Sequence, residues 1–320
     1  MAVGNVAFPE MKKVSGILLG TSNAGIKQTE RDDLLVIQLA KGATCVGVFT
    51  QNAFCAAPVH IAKDHLLQNP RWLLVNSGNA NAGTGKQGML DAMKCCSSVA
   101  KNVAGNADQV LPFSTGVIGE NLAVAKIEKA LPEAVSALQE NNWKKAAHAI
   151  MTTDTFAKGA SIEIEIAGHI VTLTGISKGA GMIQPNMATM LGFIATDAKI
   201  SQELLQKCLS KAAEQSFNRI TVDGDTSTND ACILMASACS DAPEITQGSD
   251  NYLVFEKAVM DICKRLAELI VRDGEGATKL INISVEQAKN DDEAVLVGKT
   301  IAHSPLVKTA FFASDPNWGR

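Results

Sequence analysis

The sequence predicts a layered α/β fold. Three observations point there. Apolar residues make up 46% of the chain but aromatic ones only 4%, so the core is aliphatic and suits helices close-packed on sheets. Short apolar runs of strand length alternate with longer helical patterns along the whole chain. Finally, 320 residues exceed the usual size of one simple core, which calls for one large or two intertwined domains.

The elements follow in order. Residues 34–39 and 72–75 are continuous apolar runs of the kind that forms buried strands. The second opens into 76–85, a stretch rich in Asn and Gly that reads as a loop. A helix is expected over 89–103, where Met89, Met93, Cys96, Val99 and Val103 share one face. A second is expected over 122–138, interrupted by Pro132, and a third over 143–151. Residues 161–166 alternate strictly between polar and apolar. Ala167-Gly168 then turns the chain into 169–174, so the two runs form a hairpin. Beyond this lie a strand that runs from just after Thr189 to Ala195, a helix over 202–215 and a strand at 219–222. A buried helix is expected over 231–238 and a long amphipathic one over 252–271. A strand at 280–285 and a helix over 293–301 follow. Gly105-Asn106 and residues 247–250 are surface connections, and no internal repeat or low-complexity stretch interrupts the pattern.

Charge and composition exclude several function classes. The net charge is −4, from 29 Lys and Arg against 33 Asp and Glu. That gives no basic stripe for phosphate backbones, and the few aromatics give no stacking surface for bases. The five histidines, at 60, 65, 148, 169 and 303, show no metal-ligand spacing. The eight cysteines contain no Cys-x-x-Cys pair, and no basic, apolar leader precedes them. They read as reduced thiols of a cytoplasmic protein. The apolar runs are too short to span a bilayer, so neither a nucleic-acid nor a membrane partner is expected.

The most informative segment runs from Lys178 to Leu191, Lys-Gly-Ala-Gly-Met-Ile-Gln-Pro-Asn-Met-Ala-Thr-Met-Leu. Thr189 stands behind the small Ala188 in a loop punctuated by glycine and proline. A cut between Ala188 and Thr189 would give that threonine a free α-amine beside its hydroxyl. The amine is then a built-in general base, one of the known ways to activate a hydroxyl nucleophile. It titrates at about 7.7–8.0, so a useful fraction is neutral near pH 7. Taken alone, the same residues also describe an ordinary buried strand.

Other segments acquire meaning beside it. Ser114-Thr115-Gly116 can aim a hydroxyl and a backbone N–H at one point, as an oxyanion hole requires; alone it reads as a turn and helix cap. Thr152-Thr153-Asp154-Thr155 is a hydroxyl-rich turn. Asp273-Gly274-Glu275-Gly276 is a glycine-framed acid that can meet a cationic ligand group. Lys178 complements it by meeting a ligand carboxylate.

These pieces, in this order, resemble the ornithine acetyltransferase family of arginine biosynthesis, the bifunctional glutamate N-acetyltransferases and amino-acid acetyltransferases. The resemblance rests on eight blocks: 54–59, 76–82, 114–120, 152–155, 178–191, 222–230, 273–279 and 314–320. It implies a four-layer αββα sandwich that resembles N-terminal-nucleophile hydrolases but is distinct from them. It also implies self-cleavage into an α chain of residues 1–188 and a β chain of residues 189–320, two chains sharing one intertwined fold. Family members continue past the Asn317-Trp318-Gly319-Arg320 block, so the β chain is expected to be truncated at its C-terminus.

Thr189 would take the acetyl group of N2-acetyl-L-ornithine and pass it to L-glutamate. Thr115 and Gly116 match the oxyanion-hole pair. Thr152, Lys178, Thr189 and Glu275 match the substrate-contacting positions, with Thr153 an alternative to Thr152. The resemblance implies no metal and no cofactor, small-molecule substrates, and a dimer of αβ units. Use of acetyl-CoA as a further donor varies within that family, and no residue marks it.

Two other readings stay open at this stage. Residues 220–226 place Asp223 and Asp225 after an apolar run, as in Mg-dependent phosphotransferases of the haloacid-dehalogenase type, with Asp291-Asp292 as a second acidic pair. Related self-cleaving aminopeptidases would keep the nucleophile and use water as the acceptor. In the acyltransferase reading, residues 223–230 form a turn under the site whose carboxylates cap a following helix.

Overall fold

Four layers stack in the order helix, sheet, sheet, helix, and the segment between residues 178 and 191 joins two central strands of one sheet. A computed structural model of the chain describes residues 3, 4, 6–27, 30–184 and 190–319. Ala188 and Thr189 therefore lie outside the described residues.

The first sheet contains β1 (Ile17–Ser22), β2 (Leu34–Leu39), β4 (Trp72–Asn79) and β5 (Val110–Val117) in that spatial order; β4 and β5 run parallel. The second contains β3 (Thr44–Phe49), β6 (Lys158–Ile166), β7 (His169–Lys178), β8 (Leu191–Thr196) and β9 (Ala231–Ala236). Its order is β3-β9-β8-β7-β6. Only β8 and β9 are parallel there.

Each central strand is apolar on both faces because each face meets another layer. Leu35, Ile37, Leu73 and Val75 of the first sheet face Phe193, Ile233 and Met235 of the second. Phe113 and Phe193 meet edge to face across this interior, their ring centroids 5.2 Å apart. On the outer side of the first sheet, Leu34, Val36 and Leu74 meet α1 (Ala57–His65), α2 (Gly85–Val103) and α3 (Val124–Ser136). On the outer side of the second, Ile194, Cys232 and Leu234 meet α5 (Gln202–Glu214) and α6 (Asp250–Arg272). The short α4 (Trp143–Ala149) buries Trp143, Ala146 and Ala147 between the sheets. Helices α7 (Asp291–His303) and α8 (Pro305–Ala313) follow, with Ala310 their one fully buried residue.

Four expected segments differ. Within the stretch 231–238, residues 231–236 form the interior strand β9, not a helix. Covered on both faces, Ala-Cys-Ile-Leu-Met-Ala lacks the alternation that marks a half-exposed strand, and length alone cannot separate it from a buried helix. Residues 219–222 make no ladder: Arg219 closes a 3-10 turn, and the Val222 N–H donates to the Ile183 carbonyl at 2.7 Å. Residues 280–285 have no strand partner among the described residues, and Ile281 and Ile283 remain more than a third exposed. The presumed loop 76–85 is half strand, since β4 continues to Asn79.

Candidate active site

The end of β5 is shaped by a defect in its pairing with β4. Ser77 faces Thr115 and Gly78 faces Gly116, and the register then shifts between Gly78 and Asn79. Such a bulge bends the strand and re-aims its side chains. Gly116 has φ +134°, and a Cβ there would sit 2.2 Å from the Gly78 carbonyl carbon. Only glycine fits this approach. Buried amides hold the bend. Asn229 Nδ2 donates to the Ala80 and Ser114 carbonyls at 2.6 and 2.9 Å, and the Ser114 hydroxyl donates to Asn76 Oδ1 at 2.6 Å.

Lys178, the last residue of β7, reaches this bend. Its Nζ donates to Thr115 Oγ1 at 3.2 Å. An ammonium has only protons to give, so the Thr115 oxygen accepts here and its own proton is directed elsewhere. Burial lowers the Lys178 pKa and the nearby Lys158 charge adds to this, while Asp154, Asp230 and Glu275 oppose it.

Beneath Lys178 lies a buried ionic cluster. Lys158 Nζ donates to Asp154 Oδ1 and Asp273 Oδ2, each at 2.6 Å, and all three side chains are inaccessible to solvent. Asp154 also accepts the Gly179 N–H at 2.7 Å and the Thr152 N–H at 2.9 Å. Asp273 accepts the Thr155 N–H at 3.0 Å and the Thr155 hydroxyl. The cluster thus ties the 152–155 turn, the start of the 179–184 loop and the end of α6 together. Burial by itself would raise the Asp154 pKa. The Lys178 and Lys158 charges and the Gly179 N–H together outweigh it and hold the carboxyl well below the usual carboxylate range.

Glu275 arrives from the other side. Its N–H donates to the Ala180 carbonyl at 2.8 Å. Its exposed carboxyl group crosses Gly181, where a Cβ would come within 2.6 Å of the carboxyl carbon. A glycine is required for Glu275 to pass this close. Glu275 and Lys178 therefore flank the same loop with opposite charges.

Among the residues singled out in the sequence, Thr115, Gly116, Lys178 and Glu275 come together, and the Thr152 main chain is tied to Lys178 through Asp154. Thr153 is exposed, while Thr152 is half-buried. Ala188 and Thr189 lie outside the described residues, as noted. Asp223 does not cap a helix, because a strand follows it. Its oxygens take the N–H groups of Met182 and Ile183 at 2.6 and 2.9 Å, and that of Asp225 at 3.0 Å. The carboxylate required as a nucleophile by the phosphotransferase reading is thus engaged in holding the 182–183 loop. No group of three or more His, Cys, Asp or Glu among the described residues can hold a metal ion.

Sequence reasoning passed over two lysines. Lys158 stands four residues after Asp154 within an otherwise small and apolar run, and that spacing was its only signal. Lys27 lies across Gly78 and donates to the carbonyls of Ala149 and Met151, just before Thr152. Burial and the nearby Arg31 lower its pKa to about 8.

The ArgJ family model matches residues 18–320. The chain belongs to the ArgJ family. The arginine biosynthesis bifunctional protein ArgJ of Methylococcus capsulatus is 64% identical over 316 residues, 99% of this chain and 78% of that protein. The protein of the same name from Pseudomonas syringae pv. tomato is 54% identical over 323 residues, 100% of this chain and 79% of that one. The crystal structure of the arginine biosynthesis bifunctional protein argJ from Bacillus halodurans is 32% identical, with a TM-score of 0.50. It matches 54% of this chain and 91% of its own. This ArgJ-family chain is accordingly an acyltransferase of arginine biosynthesis, the class that the resemblance implied. No helix of its described residues is long and apolar enough to cross a membrane.

Proposed function

We propose that this ArgJ-family chain cuts itself before Thr189 and then transfers acetyl from N2-acetyl-L-ornithine to L-glutamate through an acetyl-Thr189 intermediate. The observation that carries this reading is the Lys178 to Thr115 hydrogen bond. It sets a cation and a hydroxyl with a free proton at the head of the segment that leads to Thr189.

In this mechanism the Thr189 hydroxyl attacks the Ala188 carbonyl, the acyl group moves from nitrogen to oxygen, and water hydrolyses the ester. The freed α-amine then takes the hydroxyl proton as Thr189 attacks the acetyl carbonyl. The Thr115 hydroxyl and the Gly116 N–H hold the developing oxyanion, where one donor is typically worth about 2.7–4 kcal/mol. Ornithine leaves, and the amine of glutamate takes the acetyl group from Thr189. Glu275 meets the ornithine side-chain ammonium and Lys178 a substrate carboxylate, with Thr152 completing the contacts. Acetyl-CoA is a second donor that suits the bifunctional naming of the relatives, and no resident cofactor enters any step. The solved Bacillus halodurans chain supports a cut precursor: 54% of this chain already accounts for 91% of it. The α chain (1–188) and β chain (189–320) stay together as one unit, which pairs into a dimer of αβ units in the cytoplasm.

Intact-mass analysis tests the cut. The expected result is two fragments, the second beginning at Thr189, and a single uncut polypeptide for Thr189→Ala. Brief exposure to acetylornithine should add one acetyl group to the second fragment; an acetyl group found only on a lysine or aspartate would reject the intermediate. Glu275→Ala should still be cut, yet its kcat/KM for acetylornithine should fall by about tenfold to a hundredfold, the scale of a lost charged contact. An unchanged value removes Glu275 from the substrate site.

A further inference from the structure

Lys27 has no part in the mechanism so far, yet it stands behind the bend at the end of β5. It lies in the connection from β1 to β2. The buried Asp33 carboxylate folds that connection by accepting the N–H groups of Ala24, Ile26 and Lys27 at 2.7, 2.6 and 2.9 Å. This brings the Lys27 stem onto Gly78. A Cβ on Gly78 would lie 3.0 Å from Lys27 Cγ and 3.3 Å from the Lys27 main-chain nitrogen. Gly78 is also the residue against which Gly116 closes. Lys27, Gly78 and Gly116 are thus packed in succession.

The head of the side chain is fixed as well. Helix α4 ends in main-chain carbonyls that have no partner within the helix. Lys27 Nζ donates to the Ala149 carbonyl at 3.5 Å and to the Met151 carbonyl. Ser77 Oγ donates to the same Ala149 carbonyl at 2.5 Å. Ser77 and Gly78 are the β4 residues opposite Thr115 and Gly116. Both therefore rest on the end of α4, Ser77 through its own hydroxyl and Gly78 through Lys27. The Lys27 pKa is lowered only to about 8, by burial and Arg31, so the head group still carries its charge near pH 7.

We propose that Lys27 is a positioning residue for acyl transfer: it holds Gly78 against Gly116 from behind and so fixes the Gly116 N–H that receives the oxyanion. The inference rests on the oxyanion-hole reading of Thr115 and Gly116 above. A backbone donor helps only if it is aimed where charge develops. Gly78 has φ +108° and no side chain to hold it. The register shift beside it also interrupts the ladder. Lys27 supplies from outside the strand the restraint that the ladder lacks. That restraint matters as the oxyanion forms, so its loss lowers kcat and leaves KM in place.

The test is Lys27→Met in the full chain, which keeps a stem on Gly78 and removes the ammonium. The kcat for acetyl transfer, per folded molecule, should fall roughly tenfold or more, part of the effect of losing a whole oxyanion donor. The KM for acetylornithine should stay within about threefold of wild type. A general loss of structure would lower the folded fraction seen by circular dichroism, not the rate per folded molecule. Lys27→Arg keeps the charge and several donors and should return kcat to within about threefold of wild type. An unchanged kcat in Lys27→Met overturns the proposal, and so does a raised KM with kcat intact. Lys27→Arg as slow as Lys27→Met overturns it too. If Lys27→Met does not fold, Lys27→Gln, which has an amide but no charge, carries the same expectation and the same refutation. Failure of the oxyanion-hole reading is seen separately, as Thr115→Ala protein with the wild-type kcat.

Discussion

Lys158→Met is expected to lower the unfolding free energy by about 3–5 kcal/mol, the usual cost of removing one partner from a buried ion pair. The ammonium sits between two carboxylates at 2.6 Å, and none of the three side chains touches solvent. Methionine keeps the length and apolar stem but leaves Asp154 and Asp273 without their shared cation. Urea unfolding followed by circular dichroism measures the loss, and a change below about 1 kcal/mol would show that the pair behaves like an exposed one. The pH dependence has a definite sign. The folded pKa of Asp154 is depressed, so its contribution is fully present above the unfolded value of about 3.9 and is lost as pH falls through the folded value. The variant should show a weaker acid-side loss, because Asp154 is then less depressed.

Gly116→Ala is expected to have the second largest effect, on stability and activity together. A methyl group there meets the backbone of Gly78 and Asn79 at 2.2–2.5 Å, and the φ of +134° is itself unfavourable for alanine. Both obstacles are main chain, so no side chain can swing aside. Separation of β4 from β5 at the bulge should cost about 3 kcal/mol or more. Whatever folds should transfer acetyl about a hundredfold to a thousandfold more slowly, the effect of a misplaced oxyanion donor. Thermal unfolding and single-turnover rates measure the two effects separately. A variant as stable as the parent would contradict the close β4–β5 approach, and one as active would remove Gly116 from the oxyanion hole.

The parts of the fold that the sequence made legible are those with one solvent-facing side. The β6–β7 hairpin announces itself because Glu163 and Glu165 point away from the core while Ile164 and Ile166 alternate with them. The long helix α6 does so through its amphipathic face. The interior strands are harder to read. Residues 231–236 are covered on both sides, and nothing in their order distinguishes strand from helix. The residues that the sequence singled out for a site are the glycine-framed ones, Thr115-Gly116, Lys178 and Glu275. The foundation beneath them was less legible, because an aspartate in a turn gives no sign of which distant lysine will meet it. Asp154 and Asp273 are 119 positions apart in sequence and converge on Lys158 only when α6 packs against β6.

The strand order of the second sheet has a consequence for any break in the backbone between Lys178 and Leu191. Downstream of such a break, β8 and β9 are held on one flank by β7 and on the other by β3, both from the upstream part. Six paired positions on each flank would have to unzip at once for the pieces to part. Severed halves should therefore co-migrate on dilution and gel filtration, and should resist reassembly when produced from separate genes, because neither piece alone can complete the sheet.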